Sequence, residues 1–317
     1  MDRREFAKSL GMGAIALGFG GQRLSGALPE KKDGPEIAIT IDDFNWNKSV
    51  RLVPEERNRA ILGALKLHGD LKAALFVAGK HADNETGKSL LGEWDRAGHL
   101  IGNHSYSHKY LNSSKVATQV YAADILKCEE VIRTFPQFQK LFRFPYLKEG
   151  ETAAKRDAIR AFLKQHDYRI GHVTLDASDW AVDDRLSARL SKDSAADLRP
   201  YRDFYLGHMW ERSLYYDDLA QKVLGRPVKH TILMHYNLLN ALFLGDLLDM
   251  FKSKGWKLID AADAFKDPVF LAEPKIVPAG ESIIWAMAKE TGKFEKVLRY
   301  PGEDSEYENA KMDKLGL

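Results

Sequence analysis

The sequence lacks the features that would place it in several large protein classes. It contains one cysteine, Cys128, so it cannot form an intrachain disulfide. No GxGxxG or Walker-type loop follows its first apolar segment, which disfavours a nucleotide-binding sheet. It also has no internal repeat and no low-complexity segment. These absences exclude a disulfide scaffold and argue against a dinucleotide-dependent or P-loop enzyme.

The sequence also has little excess charge. The formal net charge is +2, and the four basic and two acidic groups of residues 1–27 account for it. The rest of the chain is therefore neutral, and we expect no nucleic-acid partner. A hydrophobic content of 44% in 317 residues is ample for one large α/β domain.

Residues 1–27 have the pattern of an export signal. Arg3 and Arg4 precede Phe6 and Lys8 at the spacing of a twin-arginine signal, and a weakly apolar run and a small-x-small site follow. The apolar run is about eleven residues, whereas a membrane span needs roughly twenty, so we expect no transmembrane span. An amphipathic N-terminal helix or a retained anchor is the alternative. The sequence thus predicts a periplasmic or extracellular protein that uses the Tat export machinery.

From residue 35 to residue 266, apolar strand-like segments alternate with amphipathic helical stretches. This alternation indicates an α/β fold with a parallel sheet and right-handed crossovers, either open or closed into a barrel. A helical insertion is predicted at 183–226, and a proline-richer C-terminal extension at 267–317. The predicted strands are 36–41, 73–78, 99–103, 141–144, 168–175, 230–235 and 256–259.

Polar residues follow five of the predicted strands. One aspartate at a strand end is usually a turn former or a helix cap. In a parallel barrel, however, all these strand ends meet at one rim, which is where active sites lie. Five such ends together are improbable as turn chemistry. The residues are Asp42 and Asp43, Asn103 and His104, Arg143, Asp176 and Asp179, and His235.

Two of the histidines have a spacing that suits a metal. His104 and His108 would share one face of a helix, although an HxxxH pair is common by chance among 10 histidines. A carboxylate from the first strand end would complete a set of two imidazoles and one oxygen, which a catalytic zinc uses. A second, adjacent carboxylate could then take a proton from metal-bound water.

Five motifs in order carry a family resemblance: TIDD (40–43), HSYSH (104–108), RFPY (143–146), DASDW (176–180) and LMH (233–235). They resemble the motifs of the polysaccharide deacetylases of carbohydrate esterase family 4. The resemblance implies a distorted (β/α)7-type, TIM-barrel-like domain of parallel strands over residues 35–266. It also implies metal-dependent removal of N-acetyl groups from an amino-sugar glycan or oligosaccharide, with metal-bound water as the nucleophile. O-acetyl removal is the same chemistry with an easier leaving group.

The resemblance also implies roles for individual residues. Asp43, His104 and His108 are similar to the metal ligands, with Zn²⁺ the first candidate and Co²⁺, Ni²⁺ or Mn²⁺ as alternatives. Asp42 resembles the general base, Arg143 the residue that orients it, and His235 the general acid. Asp179 resembles the residue that tethers a catalytic partner, and the sequence leaves open whether that partner is Arg143 or His235. On the substrate side, the resemblance assigns the oxyanion-binding N–H to Tyr146, an aromatic wall to Trp180 and the acetyl-methyl contact to Leu233.

One position departs from the family pattern. Phe44 stands where such families usually have a glycine, and a glycine there allows close approach of a ligand. We expect Phe44 to reshape the sugar pocket as a substrate contact, or else to pack under the loop. The departure keeps two alternatives open: hydrolysis of another non-peptide linear or cyclic amide on the same scaffold, and a catalytically silent glycan-binding protein.

Overall fold

A curled sheet of parallel strands organises the computed structural model, which describes residues 34–299 and 305–317. Seven strands form this sheet, and two further strands form a separate antiparallel pair. The strands of the described residues are β1 (Glu36–Asp42), β2 (Ala74–Val77), β3 (Leu100–Asn103), β4 (Phe138–Phe142), β5 (Lys148–Gly150), β6 (Arg169–Ile170), β7 (Lys229–His235), β8 (Lys257–Leu258) and β9 (Ala279–Gly280).

The order in the sheet is β6-β4-β3-β2-β1-β7, with β8 paired beside the start of β1. All of its ladders are parallel. Every residue of β1 except the first is buried, as expected for a strand covered on both faces. The sheet forms a half-barrel surrounded by helices, which confirms the predicted α/β barrel of parallel strands.

Helices follow most strands and cover the sheet. Two of them begin with capping features: Pro54 opens the first helix, where Glu56 accepts from the Val53 N–H, and Asn84 caps the second through the Gly87 N–H. The helices are α1 (Pro54–Leu67), α2 (Glu85–Arg96), α3 (Thr118–Ile132), α4 (Ala153–Gln165), α5 (Asp179–Lys192), α6 (Arg199–Leu224), α7 (Leu238–Ser253), α8 (Ala261–Ala264), α9 (Ile283–Thr291) and α10 (Glu306–Leu315).

Two strand predictions differ from the structure. The fourth strand lies about two residues earlier than predicted, and the fifth is split. After Ile170 the chain passes over the Phe76 ring at Gly171, where a Cβ would lie 2.5 Å from the ring Cζ. Leu175 then returns to a single parallel bridge with Ile232. A core aromatic ring therefore interrupts what the sequence pattern presented as one strand.

The predicted insertion is helical, as α6 and most of α5, and α6 contacts α9 of the C-terminal extension. Of the described helices, none combines the length and apolar character that a bilayer crossing requires. The predicted export signal at 1–27 lies outside the described residues.

Candidate active site

A cavity of about 590 Å³ opens at the carboxyl ends of the sheet strands. The register pairs Asp42 at the end of β1 with His235 at the end of β7, so the two motifs meet on neighbouring strands. Arg143, Asp179 and Phe44 lie outside the cavity lining. The predicted residues that do line it are Asp42, Asp43, His104, His108, Tyr146, Trp180, Leu233 and His235.

Asp43, His104 and His108 converge in this cavity. An Asp43 Oδ1 atom lies 3.1 Å from His108 Nε2 and 3.6 Å from His104 Nε2, and the three donor atoms all lie within 4.8 Å of one another. His104 donates its Nδ1–H to the Arg143 carbonyl at 2.8 Å, which leaves Nε2 with the lone pair that a metal needs. Burial lowers the pKa of His104 and so favours the neutral, metal-binding form. One carboxylate and two oriented imidazoles fit a divalent cation.

The HSYSH segment is a loop and not a helix. Ser105 and His108 both have left-handed backbone angles, with φ of 59° and 54°. Asp124 of α3 fixes this loop by accepting hydrogen bonds from the Ser107 N–H and hydroxyl and from the Lys109 ammonium. The two imidazoles therefore meet through loop geometry rather than through the i, i+4 face of a helix. Sequence reasoning missed Asp124, because its distance from the motif along the chain hides the contact.

Asp42 is held by a buried arginine. Arg143 is 1% exposed, and its Nη1 donates to Asp42 Oδ1 at 2.7 Å and to the Thr40 hydroxyl at 2.8 Å. Its Nε donates to the Gly171 carbonyl at 2.7 Å. A planar guanidinium fixed at three points gives Asp42 one orientation and a charge partner that water cannot screen.

Asp179 binds His235 and resolves the question that the sequence left open. Its Oδ1 accepts from His235 Nδ1 at 2.7 Å, and its Oδ2 accepts from the His235 backbone N–H at 2.9 Å and from Asn240 Nδ2 at 2.6 Å. Burial opposes the charge on His235, but Asp179 and then Asp43 and Asp42 outweigh it and raise the pKa of His235 to about 10. This pairing favours the imidazolium form and leaves Nε2 as the nitrogen not bonded to Asp179.

The remaining predicted residues divide between wall and core. Tyr146 is 57% exposed, has a left-handed φ of 59°, and packs against the His108 ring at 4.6 Å between ring centres. Leu233 and Trp180 form apolar wall. Phe44 is fully buried against the Tyr236 ring at 5.2 Å and does not line the cavity. The expectation that Phe44 contacts substrate is therefore wrong for this geometry, since the side chain packs under the loop.

The cavity also contains residues that sequence reasoning missed. Lys148 follows the RFPY motif, and Glu281 belongs to the C-terminal extension; both line the wall. Asp184 and Tyr110 line it as well, beside Asp176, which the sequence had placed at a strand end. Proximity to a motif could have indicated Lys148, whereas nothing in the pattern of the extension indicated Glu281.

Fold and site together define an α/β half-barrel with a metal-type triad in a cavity at the carboxyl ends of its strands. Residues 30–170 match the family described as Polysaccharide deacetylase. This match confirms the resemblance over that part of the chain.

One curated relative shares the resemblance. A peptidoglycan-N-acetylglucosamine deacetylase of Bacillus cereus is 30% identical over 146 residues, which are 46% of this chain and 46% of the relative. The chain thus spans about half the length of the curated relative that it matches.

Solved structures share the fold. A CE4 family pseudoenzyme from Bacillus anthracis superposes with a TM-score of 0.51 at 19% identity, over 73% of this chain and 66% of that chain. A mutant CE4 family pseudoenzyme with restored enzymatic activity superposes with a TM-score of 0.52 at 20% identity, over 73% of this chain and 68% of that chain. A mutant of the peptidoglycan deacetylase PdaC from Bacillus subtilis superposes with a TM-score of 0.50 at 17% identity, over 84% of this chain and 96% of that chain.

Proposed function

We propose that this chain is a metal-dependent hydrolase that removes N-acetyl groups from an amino-sugar glycan or a fragment of one. The observation that carries the proposal is the meeting of three groups in one cavity. These are a metal-type triad, a carboxylate held by buried Arg143, and a protonated His235 held by buried Asp179. Metal-assisted amide hydrolysis uses all three: a cation, a base for the attacking water, and an acid for the amine, which leaves poorly unless it is protonated.

Asp43, His104 and His108 would hold the divalent cation, with Zn²⁺ the first candidate and Co²⁺, Ni²⁺ and Mn²⁺ as alternatives. When bound, such a cation supplies Lewis acidity, which lowers the pKa of water and polarises an acyl oxygen. The Arg143 carbonyl fixes the His104 ring in advance, so this ligand needs little reorganisation on loading.

Two residues of this chain would handle the two proton transfers. Asp42 accepts a proton from the attacking water, and Arg143 keeps its carboxylate aimed. His235 gives its Nε2 proton to the leaving nitrogen, and Asp179 stabilises the imidazolium until that step. Tyr146 would donate its backbone N–H to the developing oxyanion, and losing one such donor commonly costs about 3 kcal/mol. Leu233 would border the acetyl methyl, and Trp180 would form one wall for the sugar.

We further propose that the chain works outside the cytoplasm. The twin-arginine pattern at 1–27 and the peptidoglycan-acting relative from Bacillus cereus support export to the periplasm or the cell exterior. An exported enzyme of this kind would meet acetylated glycans of the cell wall or the surroundings as its substrates.

Two other functions compete with this proposal. Hydrolysis of a non-sugar amide would use the same groups. A catalytically silent glycan-binding protein would not, because a binder has no use for an oriented Asp42 or a protonated His235. The buried partners of these two side chains therefore favour an enzyme.

Acetate release tests the proposal. The chelator-treated protein is assayed with and without Zn²⁺ on chitooligosaccharides, peptidoglycan fragments, acetylated xylan and a simple non-sugar amide. We expect metal-dependent acetate from an N-acetyl sugar, loss of that activity in Asp42→Asn, and little change in Asp263→Asn, an aspartate that pairs with Lys266 on the surface. Acetate only from the non-sugar amide would favour the other hydrolase, and glycan binding without turnover in the metal-loaded protein would favour the binder.

A further inference from the structure

The C-terminal extension is built into the rim of the cavity. Its strand β9 pairs antiparallel with β5, and the Glu281 N–H donates to the Leu147 carbonyl at 2.9 Å. The next two residues bind the other side of the rim, since the Ser282 hydroxyl donates to the Thr174 carbonyl at 2.7 Å and the Ile283 N–H to the Val173 carbonyl at 2.8 Å. Residues 279–283 thus connect two segments of the barrel mouth.

The backbone at this point is strained in a way that aims one side chain. Gly280 has a φ of 125° and lies so close to the barrel that a Cβ would be 1.9 Å from the Leu147 carbonyl oxygen. Glu281 itself has a φ of 73°, a region that L side chains other than Asn and Asp rarely adopt. Such strain persists where the surrounding structure enforces it, and it concentrates at functional sites.

The strained residue faces the cavity together with a lysine. Glu281 forms an ion pair with Lys148 of β5, and both side chains line the cavity while being only 14% and 5% exposed. A buried ion pair adds little to folding stability compared with apolar residues of the same size, because desolvation offsets the attraction. Stability therefore does not explain why a charged pair occupies this wall.

We propose that the Lys148–Glu281 pair is a sugar-binding element, which rests on the proposed function. A carboxylate can accept several hydrogen bonds and an ammonium can donate three, so the pair presents an acceptor beside a donor. Neighbouring hydroxyls of a pyranose ring complement that arrangement. The extension at 267–317 thereby supplies a specificity residue to the barrel.

The test compares two substrates that share the reaction centre. Acetyl chitooligosaccharides extend to the wall, whereas 4-nitrophenyl acetate is too small to need it. We expect Glu281→Gln to raise KM for the oligosaccharide about tenfold, as for loss of one hydrogen bond to a charged group. The kcat/KM of the Glu281→Gln variant for the ester should stay within about twofold of the wild-type value. Glu273→Gln, an exposed glutamate of the same extension, is the matched control and should change neither value.

A charge exchange separates binding from structure. The double variant K148E/E281K restores an ion pair, so its melting temperature should approach that of the wild type, while KM for the oligosaccharide stays raised. Recovery of both values, or an unchanged ratio of glycan to ester activity in Glu281→Gln, would overturn the inference. If the exchanged variant does not fold, the ratio in Glu281→Gln decides alone. A wild-type protein that releases acetate from the ester but from no glycan would refute the proposed function, and the sugar-binding element with it.

Discussion

Replacing Asp179 by asparagine tests the proposed acid more sharply than removing His235 does. Asp179 Oδ2 accepts from three donors, the His235 N–H, Asn240 Nδ2 and Asn237 Nδ2, at 2.9, 2.6 and 3.2 Å. In the variant, the amide oxygen must take that position, because an NH₂ group there would face three donors. The NH₂ group is then directed at His235 Nδ1, which can pair with it only as an unprotonated acceptor.

The size of the effect follows from this reversal. Asp179 is the leading cause that raises the pKa of His235 to about 10, against burial, and the variant removes both its charge and its hydrogen bond. A His235 pKa that fell only to neutrality would cost about twofold at pH 7, and each further unit below the assay pH costs about tenfold. The Asn NH₂ group pairs only with the unprotonated ring, and a cation beside Asp43 would act in the same direction. We expect kcat on an N-acetyl substrate to fall at least about 10²-fold near neutral pH, within the range for loss of general acid catalysis.

The assay pairs an amide with an ester and follows pH. Amine expulsion requires the His235 proton, whereas 4-nitrophenolate leaves without one, so Asp179→Asn should spare 4-nitrophenyl acetate. The protonated form is the active one, so activity on the amide is lost as pH rises through the His235 pKa, and the variant moves that descending limb to lower pH. Asp184→Asn is the control, since Asp184 lines the cavity near His235 but accepts none of its described hydrogen bonds. Equal losses of activity on the amide and the ester, or a descending limb of the pH profile that stays at the same pH, would refute the reasoning.

Three further changes test the metal site and the fold. His104→Ala removes a buried donor and should weaken Zn²⁺ binding at least about 100-fold by titration calorimetry, whereas unchanged affinity would remove His104 from the ligand set. Phe44→Ala should lower the free energy of unfolding by about 3–5 kcal/mol in urea, and a loss below about 1 kcal/mol would contradict the packing described. Burial lowers the pKa of His99 to about 4 from its ordinary value of 6.5, so its stabilising effect is complete above pH 6.5 and is lost as pH falls towards 4. His99→Gln should therefore flatten the pH dependence of unfolding between those values by up to about 3 kcal/mol, and an unchanged slope would show that the ring is not held neutral.

The fold could be predicted from the sequence because its strands are apolar segments that the hydrophobic pattern marks clearly. β1 reads as a mostly apolar segment, and every residue except Glu36 is buried, with the strand paired to β2 and β7. The polar residues that end β1, β3 and β7 had to meet once the strands were parallel and in register. That argument placed Asp42, His104 and His235 in one cavity without knowledge of any side-chain conformation.

The hydrogen-bond partners of those residues could not be predicted from the sequence, because they depend on local backbone conformation. Arg143 and His235 were both plausible partners for Asp179. The carboxylate pairs with His235 and follows a left-handed residue, Ser178, with φ of 51°, which the sequence pattern does not indicate. The HSYSH loop likewise depends on two left-handed residues, which a periodicity argument cannot anticipate. Phe44 showed the same limit, because an apolar residue in a loop can turn to the core or to the ligand with equal ease.

The arrangement of the two charged pairs has a chemical logic that depends on strand order. β1 and β7 are neighbours, and the register sets Asp42 opposite His235, so proton acceptor and proton donor begin one strand apart. Behind each stands a buried group of opposite charge, Arg143 for the carboxylate and Asp179 for the imidazolium. A reaction that takes a proton from water and returns one to an amine needs its two groups in opposite protonation states at the start. Arg143 and Asp179 are both buried, so solvent screens neither charge pair strongly. The strand order thus sets the proposed base opposite the proposed acid, and the proposed specificity residue Glu281 comes from the C-terminal extension.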